Sequence, residues 1–260
     1  MMVTKDLLNG WYFALVGILY HQQAGMKLAP MIEKYSRRCS RKEVNKMAVE
    51  AQEVFDGVML SDGNLQMHGF NARLRVQLSG ASHLDWLTYI KDALLPSGVQ
   101  IGARGLGLYK GISKGKPYIG AFLQTRTCSY LTEQCERWYK AGIKVVPVDV
   151  KITPLSIANW FMGDGSSSPD NRNSAIVTHL ASCNFTLEEC IILAERLEVL
   201  GVRATAAPNN GYPRVNISQF SVNYFMSIIE EYIQPSYRYK VKSRLNEPVS
   251  NKKNGGVLWR

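Results

Sequence analysis

The sequence predicts an α+β fold in which one unit, helix–strand–strand–helix–strand–strand–helix, is used twice. Three observations carry that expectation. An apolar stretch ending in an acid and a glycine, Phe55 to Gly63, returns as Ile157 to Gly165, with Asp62 and Asp164 separated by 102 residues. The elements after each stretch follow in the same order. One segment, Asn71–Leu78, alternates polar and apolar residues without interruption, as a half-buried strand does. The division that follows is an N-terminal helical extension at 1–45, a first repeat at 46–148, and a second repeat at 149–260 that ends in a basic tail.

In the extension, Trp11–Tyr20 is an apolar run of ten residues. A bilayer span needs about 20, so the run is read as a buried helix. Arg37, Arg38, Arg41 and Lys42 follow it, a cluster that suits either phosphate contacts or a solvated charged face. The first repeat opens with a helix over Val44–Leu60. Strands follow at Asn64–His68 and Ala72–Leu78, then a helix over Ser82–Leu95 with Ser82 as N-cap. Strands Val99–Tyr109 and Lys116–Leu123 are joined by the Gly/Lys-rich segment Lys110–Gly115, and a helix over Cys128–Ala141 closes the copy. Pro147 and Pro154 bracket a linker.

The second repeat begins with a helix from Ser156 to Gly163. A loop at 166–171 leads into a strand over Ser174–Leu180. Thr186 and Glu189 have capping-box spacing for a helix that runs to Leu200. Strands near Val202–Ala206 and Arg214–Ile217 are joined at Pro208–Gly211, and a helix over Val222–Ile233 completes the copy.

Composition narrows the partners. The chain has 260 residues, a hydrophobic fraction of 46% and a formal net charge of +10. That is a globular composition with a surplus of cations, which favours a polyanion: nucleic acid or an acidic membrane surface. The five cysteines are odd in number and none forms a Cys-x-x-Cys pair, so buried thiols in a reducing intracellular compartment are expected rather than a disulfide framework or zinc cluster. An organellar address, mitochondrion or chloroplast, stays open.

Period-2 alternation in Asn71–Leu78 places Ala72, Leu74, Val76 and Leu78 on one face and Asn71, Arg73, Arg75 and Gln77 on the other. The second set holds the side chains able to make bidentate contacts to guanine and adenine edges, on a ribbon that fits the major groove. Further candidates for contacting nucleic acid are His68, Arg104, Lys110, Lys114 and Lys116 in the first repeat, with Arg172, Asn173, Arg203 and Arg214 in the second. His68 and His179 lack a second ligand at metal spacing and are read as nucleic-acid or structural residues. If the two apolar stretches are helices that pack closely through their small residues, Asp62 and Asp164 come together. Paired carboxylates of that kind can bind a divalent metal for phosphodiester hydrolysis.

The motifs Gly57-Val58-Met59-Leu60-Ser61-Asp62-Gly63 and Ala158-Asn159-Trp160-Phe161-Met162-Gly163-Asp164-Gly165, the second entered through Thr153-Pro154-Leu155-Ser156-Ile157, resemble those of the LAGLIDADG homing endonucleases in their single-chain, two-repeat form. With the repeat pattern, the resemblance covers roughly residues 45–245. Asp56 stands where the family has a small residue, and Leu60 and Met162 stand where it has a variable first acid.

The resemblance implies two αββαββα units, motif helices at the central interface, and curved antiparallel sheets forming a saddle over a long DNA site. It implies that Asp62 and Asp164 bind Mg²⁺, with Mn²⁺ or Ca²⁺ as substitutes and Ca²⁺ without cleavage, and that the carbonyls of Ser61 and Gly163 help. It also implies a lysine beside each centre, which maps to Lys144, 82 residues after Asp62, and Lys240, 76 after Asp164. The implied protein is a monomeric, site-specific double-strand DNA endonuclease that leaves short 3′ overhangs, is carried by a mobile intron or intein-like element, and has no membrane partner. The alternatives are a maturase that binds its host intron RNA and a DNA-binding regulator that does not cut.

Overall fold

Each repeat builds a four-stranded antiparallel sheet in the same strand order. This is seen in a computed structural model that describes residues 41–169 and 176–241. The first repeat comprises α1 (Arg41–Met59), β1 (Asn64–His68), β2 (Asn71–Leu78), α2 (Leu84–Leu94), β3 (Ile101–Ser113), β4 (Lys116–Thr125) and α3 (Ser129–Trp138), followed by a miniature hairpin, β5 (Tyr139–Lys140) and β6 (Ile143–Lys144). The second comprises α4 (Pro154–Asp164), β7 (Gly165–Pro169), β8 (Ile176–Ala181), α5 (Leu187–Val199), β9 (Ala204–Asn209), β10 (Tyr212–Ile217) and α6 (Val222–Ile229). The sheets run β1-β2-β4-β3 and β7-β8-β10-β9. The described residues from Met47 onward form one compact unit. The apolar run at Trp11–Tyr20 and the candidates Arg172 and Asn173 lie outside the described residues.

Helix α4 is buried on every side, from Leu155 through Met162. A helix without a polar face belongs in the middle of a core. Its start is set by Thr153, whose hydroxyl accepts from Ser156 N–H while the Ser156 hydroxyl accepts from Thr153 N–H, with Pro154 in the first turn. The second motif helix thus begins two residues before the expected Ser156. Helix α1 brings Phe55, Val58 and Met59 into the same core. It ends where the Gly63 N–H turns back to the Val58 carbonyl at 2.8 Å.

Asp56, an acid in a packed helix, is 1% exposed and is neutralised locally. Arg137 on α3 grips it with both terminal nitrogens, at 2.6 and 3.0 Å, and Gln52 adds a bond at 2.8 Å. Arg137 also reaches Asp149 in the linker, through Nε at 2.9 Å. The linker is held further along by Arg196 of α5, which donates to the carbonyls of Val148 and Val150.

Several elements depart from the sequence expectation. Ser82 does not cap α2: a 3₁₀ turn at Ala81–His83 precedes the helix, whose N-cap is His83. Lys110–Ser113 are strand rather than loop, because β4 pairs with them up to Ser113–Lys116. The turn that remains is Lys114-Gly115, with φ of 48° and 77°, a two-residue turn of the primed kind that matches strand twist. The helix read over Cys128–Ala141 stops at Trp138, and Ala141-Gly142, with φ of 50° and 80°, turn the chain back as β5–β6. Residues 165–169, expected mostly as loop, form β7 by pairing with β8. The last helix ends at Ile229 and continues as a 3₁₀ turn at Glu230–Tyr232.

Candidate active site

The two motif helices touch at positions where the chain has almost no side chain. A Cβ placed on Gly57 would strike the Ser156 carbonyl oxygen and come within 2.7 Å of Asn159 Cβ. A Cβ on Gly163 would lie 2.5 Å from both Cβ and Oγ of Ser61 and 2.9 Å from Asp62 Oδ2. Close approach of this kind is what glycine permits. The result is that the ends of α1 and α4, with Asp62 and Asp164, share one small volume. Asn159, in the middle of this contact, spends its polar atoms internally: Oδ1 accepts from Trp86 Nε1 at 2.9 Å and Nδ2 donates to the Leu155 carbonyl at 2.9 Å.

A lysine stands beside each acid. Lys144 Nζ donates to the carbonyls of Gly63 at 2.8 Å and Ser61 at 3.3 Å. Lys240 Nζ donates to those of Met162 and Gly165, both at 2.8 Å, and Phe161 at 3.2 Å. Each ammonium is therefore fastened to the backbone that carries one of the acids. The Lys144 ammonium also lies over the Phe185 ring, and that of Lys240 over Phe161 and Tyr237.

Burial and mutual charge unsettle all four groups. Burial pushes the Asp164 carboxyl up to about 6, and the Asp62 charge adds to the rise while the two lysines oppose it. Asp62 is raised too, chiefly by burial, against the pull of Lys240 and Lys144. Both lysines are driven down to about 8 by burial, with the two acids holding them from falling further. Perturbed acids and bases gathered in one cluster are the mark of a chemical site.

The polar faces of the sheets supply a second surface. Asn71, Arg73, Arg75 and Gln77 all lie on the face of β2 away from the core, whose side is Ala72, Leu74, Val76 and Leu78. Register adds Asn64 opposite Arg75, Gln66 opposite Arg73 and His68 opposite Asn71 from β1, and Gln124 opposite Arg75 from β4. Lys116 shares this face near the hairpin tip, and Lys114 is in the turn itself. Lys110 alternates onto the opposite face with Leu108 and Ile112. Arg104 is exposed at an irregularity between Ile101 and Leu106 where the β3 register shifts.

In the second sheet, His179 lies opposite Ser166 and Asn216, while Arg214 lies opposite Ala181 and Ala207. Arg203 is exposed just before β9. Burial and the Arg214 charge lower the His179 pKa. Among the described residues, Arg73 Nε, Arg214 Nε and His179 Nδ1 on these faces, and Trp138 Nε1 in the core, are buried without a hydrogen-bond partner. An unmet buried polar group costs about 1–3 kcal/mol, so such atoms call for water or a ligand.

A family model described as the LAGLIDADG DNA endonuclease family matches residues 52–225. The chain belongs to the LAGLIDADG DNA endonuclease family. Its solved structural neighbours include the homing endonuclease I-WcaI bound to its DNA recognition sequence, with a TM-score of 0.64 and 19% identity, covering 85% of this chain and 96% of that one. Among curated proteins, the uncharacterized protein MJ1098 of Methanocaldococcus jannaschii is 27% identical over 211 residues, 79% of each chain. The cytochrome b mRNA maturase bI2 of Debaryomyces hansenii is 30% identical over 122 residues, 45% of this chain and 44% of that one.

In this LAGLIDADG chain the donor atoms gathered at the motif ends are oxygen: the carboxylates of Asp62 and Asp164 and the backbone carbonyl of Ser61. Among the described residues no group of three or more His, Cys, Asp or Glu is placed to hold a metal ion. Two carboxylates raised by burial and one by the other's charge fit a hard divalent cation such as Mg²⁺. The Ser61 carbonyl already takes a long bond from Lys144, which leaves it one lone pair. The sequence reading overlooked Gln66, Gln124, Ser166 and Asn216 on the polar faces. Gln66 had a local signal, the alternation of Asn64–His68; Ser166 had none, because its strand exists only through pairing.

Proposed function

We propose that this chain is a site-specific double-strand DNA endonuclease, dependent on divalent metal and acting as a monomer. The observation that carries the reading is the paired arrangement: two acids at abutting helix ends, each with a half-buried lysine bonded to the carbonyls around it. Asp62 and Asp164 would hold Mg²⁺ with the Ser61 and Gly163 carbonyls. A divalent metal held there would supply Lewis-acid polarisation of a phosphate and a more acidic water.

The chain's own residues do the rest. The carbonyl cradles fix each lysine ammonium beside one acid, where it stabilises charge developing on phosphate or orients water. The polar faces dock on the duplex, with Arg73, Arg75, Gln77 and Gln66 reading base edges and Lys114 and Lys116 meeting phosphate. The unmet Nε atoms of Arg73 and Arg214 would find acceptors there. One centre per strand leaves short 3′ overhangs. I-WcaI, similar in fold, was solved on its DNA recognition sequence, which agrees with this docking.

A second reading is an intron RNA maturase on the same scaffold, favoured by the likeness to the Debaryomyces hansenii maturase. Cleavage of a randomised duplex library with Mg²⁺, beside an Asp62→Asn, Asp164→Asn double variant, separates the two. One long cut site, lost in the variant, is expected. No cutting by either protein, with tight binding of structured intron RNA, would move the assignment to the maturase.

A further inference from the structure

The two lysines arrive on segments of different repeats, and each segment is tied down by the other repeat. Two residues after Lys144, the Val146 N–H donates to Glu189 Oε1 at 2.7 Å. Glu189 is in the first turn of α5, and its other oxygen accepts from the Thr186 N–H at 2.8 Å. Four residues before Lys240, the Ser236 N–H donates to Asp85 Oδ2 at 2.9 Å and the Ser236 hydroxyl to Asp85 Oδ1 at 2.7 Å. Asp85 is in the first turn of α2.

Helices α2 and α5 are counterparts, since each follows the first strand pair of its sheet. The likeness extends to rings. Phe185, immediately before the N-cap of α5, lies 5.7 Å from Lys144 Nζ. His83, the N-cap of α2, stacks on Tyr237 with centroids 4.3 Å apart, and Lys240 Nζ is 5.2 Å from that same ring. Capping explains the bond from Thr186 to Glu189, but it gives no reason for Glu189 to reach Val146. Charge-assisted bonds to backbone N–H groups are short and directional, as an anchor requires.

We infer that Glu189 and Asp85 are positioning residues, each holding the lysine-bearing segment of the opposite repeat, so that neither lysine is in place unless the two repeats are docked. The consequence for cleavage rests on the endonuclease reading above. Lys144 sits on the carbonyls of the first motif and Lys240 on those of the second, so loosening one clamp should impair one centre and leave the other.

The clamp itself is read without DNA or metal, by amide hydrogen exchange in the full chain. Glu189→Ala should speed exchange at Val146, and Asp85→Ala at Ser236, each by about tenfold. Thr186→Ala weakens the same helix cap yet should leave Val146 as slow as its neighbours. The consequence is read by strand-resolved cleavage of an end-labelled duplex in Mg²⁺. Each Ala variant should accumulate DNA nicked in one strand, the two variants in opposite strands, with the slower strand cut roughly ten- to hundredfold more slowly and DNA affinity unchanged. Glu189→Gln and Asp85→Asn, which keep an acceptor oxygen, should recover most of the rate. Unchanged exchange at Val146 and Ser236, or equal slowing of both strands in step with Tm, overturns the inference. A wild-type chain that cuts no duplex refutes the endonuclease reading instead, and exchange at the two amides then decides the clamp.

Discussion

Gly163→Ala adds one methyl at the tightest point between the motif helices. Gly163 lies inside α4, so helix propensity alone favours alanine there by roughly 0.8–1.0 kcal/mol. Against this, the methyl would meet Ser61 Cβ and Oγ at 2.5 Å and Asp62 Oδ2 at 2.9 Å, and overpacking of this sort costs about 1–3 kcal/mol. The balance is a loss of up to about 2 kcal/mol, or several degrees in Tm at roughly 2–4 °C per kcal/mol for a domain of this size. Because the obstruction pushes on Asp62, cleavage should fall by about a hundredfold while DNA affinity holds. Ser61→Gly removes both atoms of Ser61 that the methyl strikes, so the double variant should recover at least about 1 kcal/mol beyond additivity. Urea unfolding of the four members of this cycle, with single-turnover cleavage, measures it. Absence of coupling to Ser61→Gly would refute the packing argument.

Asp164→Asn should abolish cleavage with unchanged DNA affinity. In metal-free protein it should also stabilise the fold at pH 7. The folded carboxyl at about 6 holds its proton above the ordinary range, so stability falls as pH rises towards 6 and the deficit persists above it. After allowance for solvent screening the gain is on the order of 1–2 kcal/mol, and it should vanish below about pH 4 when scanned by thermal denaturation. The lysines act with the opposite slope: held at about 8, they make the fold gain stability as pH rises from there towards the ordinary lysine value. Arg75→Ala should relax preference at one or two base pairs by about 1–3 kcal/mol in a binding-site selection; uniform weakening would make Arg75 a phosphate contact. Asp56→Ala, which leaves the half-buried Arg137 guanidinium with Asp149 and Gln134 as its partners, should cost about 1–3 kcal/mol in urea unfolding.

How far the sequence could be read depended on how local each pattern was. The strand Asn71–Leu78, the capping box at Thr186 and the paired motif helices carry their signals within a few residues, and all appear in the structure. The hairpin tip was misread because Lys110–Ser113 looks like loop in composition and becomes strand only through its ladder with Lys116–Ile119. Strand β7, Gly-Ser-Ser-Ser-Pro, has no strand propensity of its own and is created by β8. Lys144 could be placed by resemblance, but the miniature hairpin that delivers it turns on a positive φ at Ala141, which alanine does not advertise. Glu189 reads as a capping residue and nothing more, because its bond to Val146 joins residues 43 apart in the chain.

The outer strand pairs of the two sheets differ in length, and this bears on the footprint. Strand β4 has ten residues and its counterpart β10 has six. Four extra residues at about 3.3 Å each extend the first ribbon by roughly 13 Å, which spans about four base-pair steps of B-form DNA at ~3.4 Å per step. A target covered by this protein would therefore be lopsided, with its two cuts off-centre in the protected tract. The longer arm would lie under the sheet that is richer in arginine and glutamine. Base changes in a bound duplex would then be tolerated unequally under the two sheets.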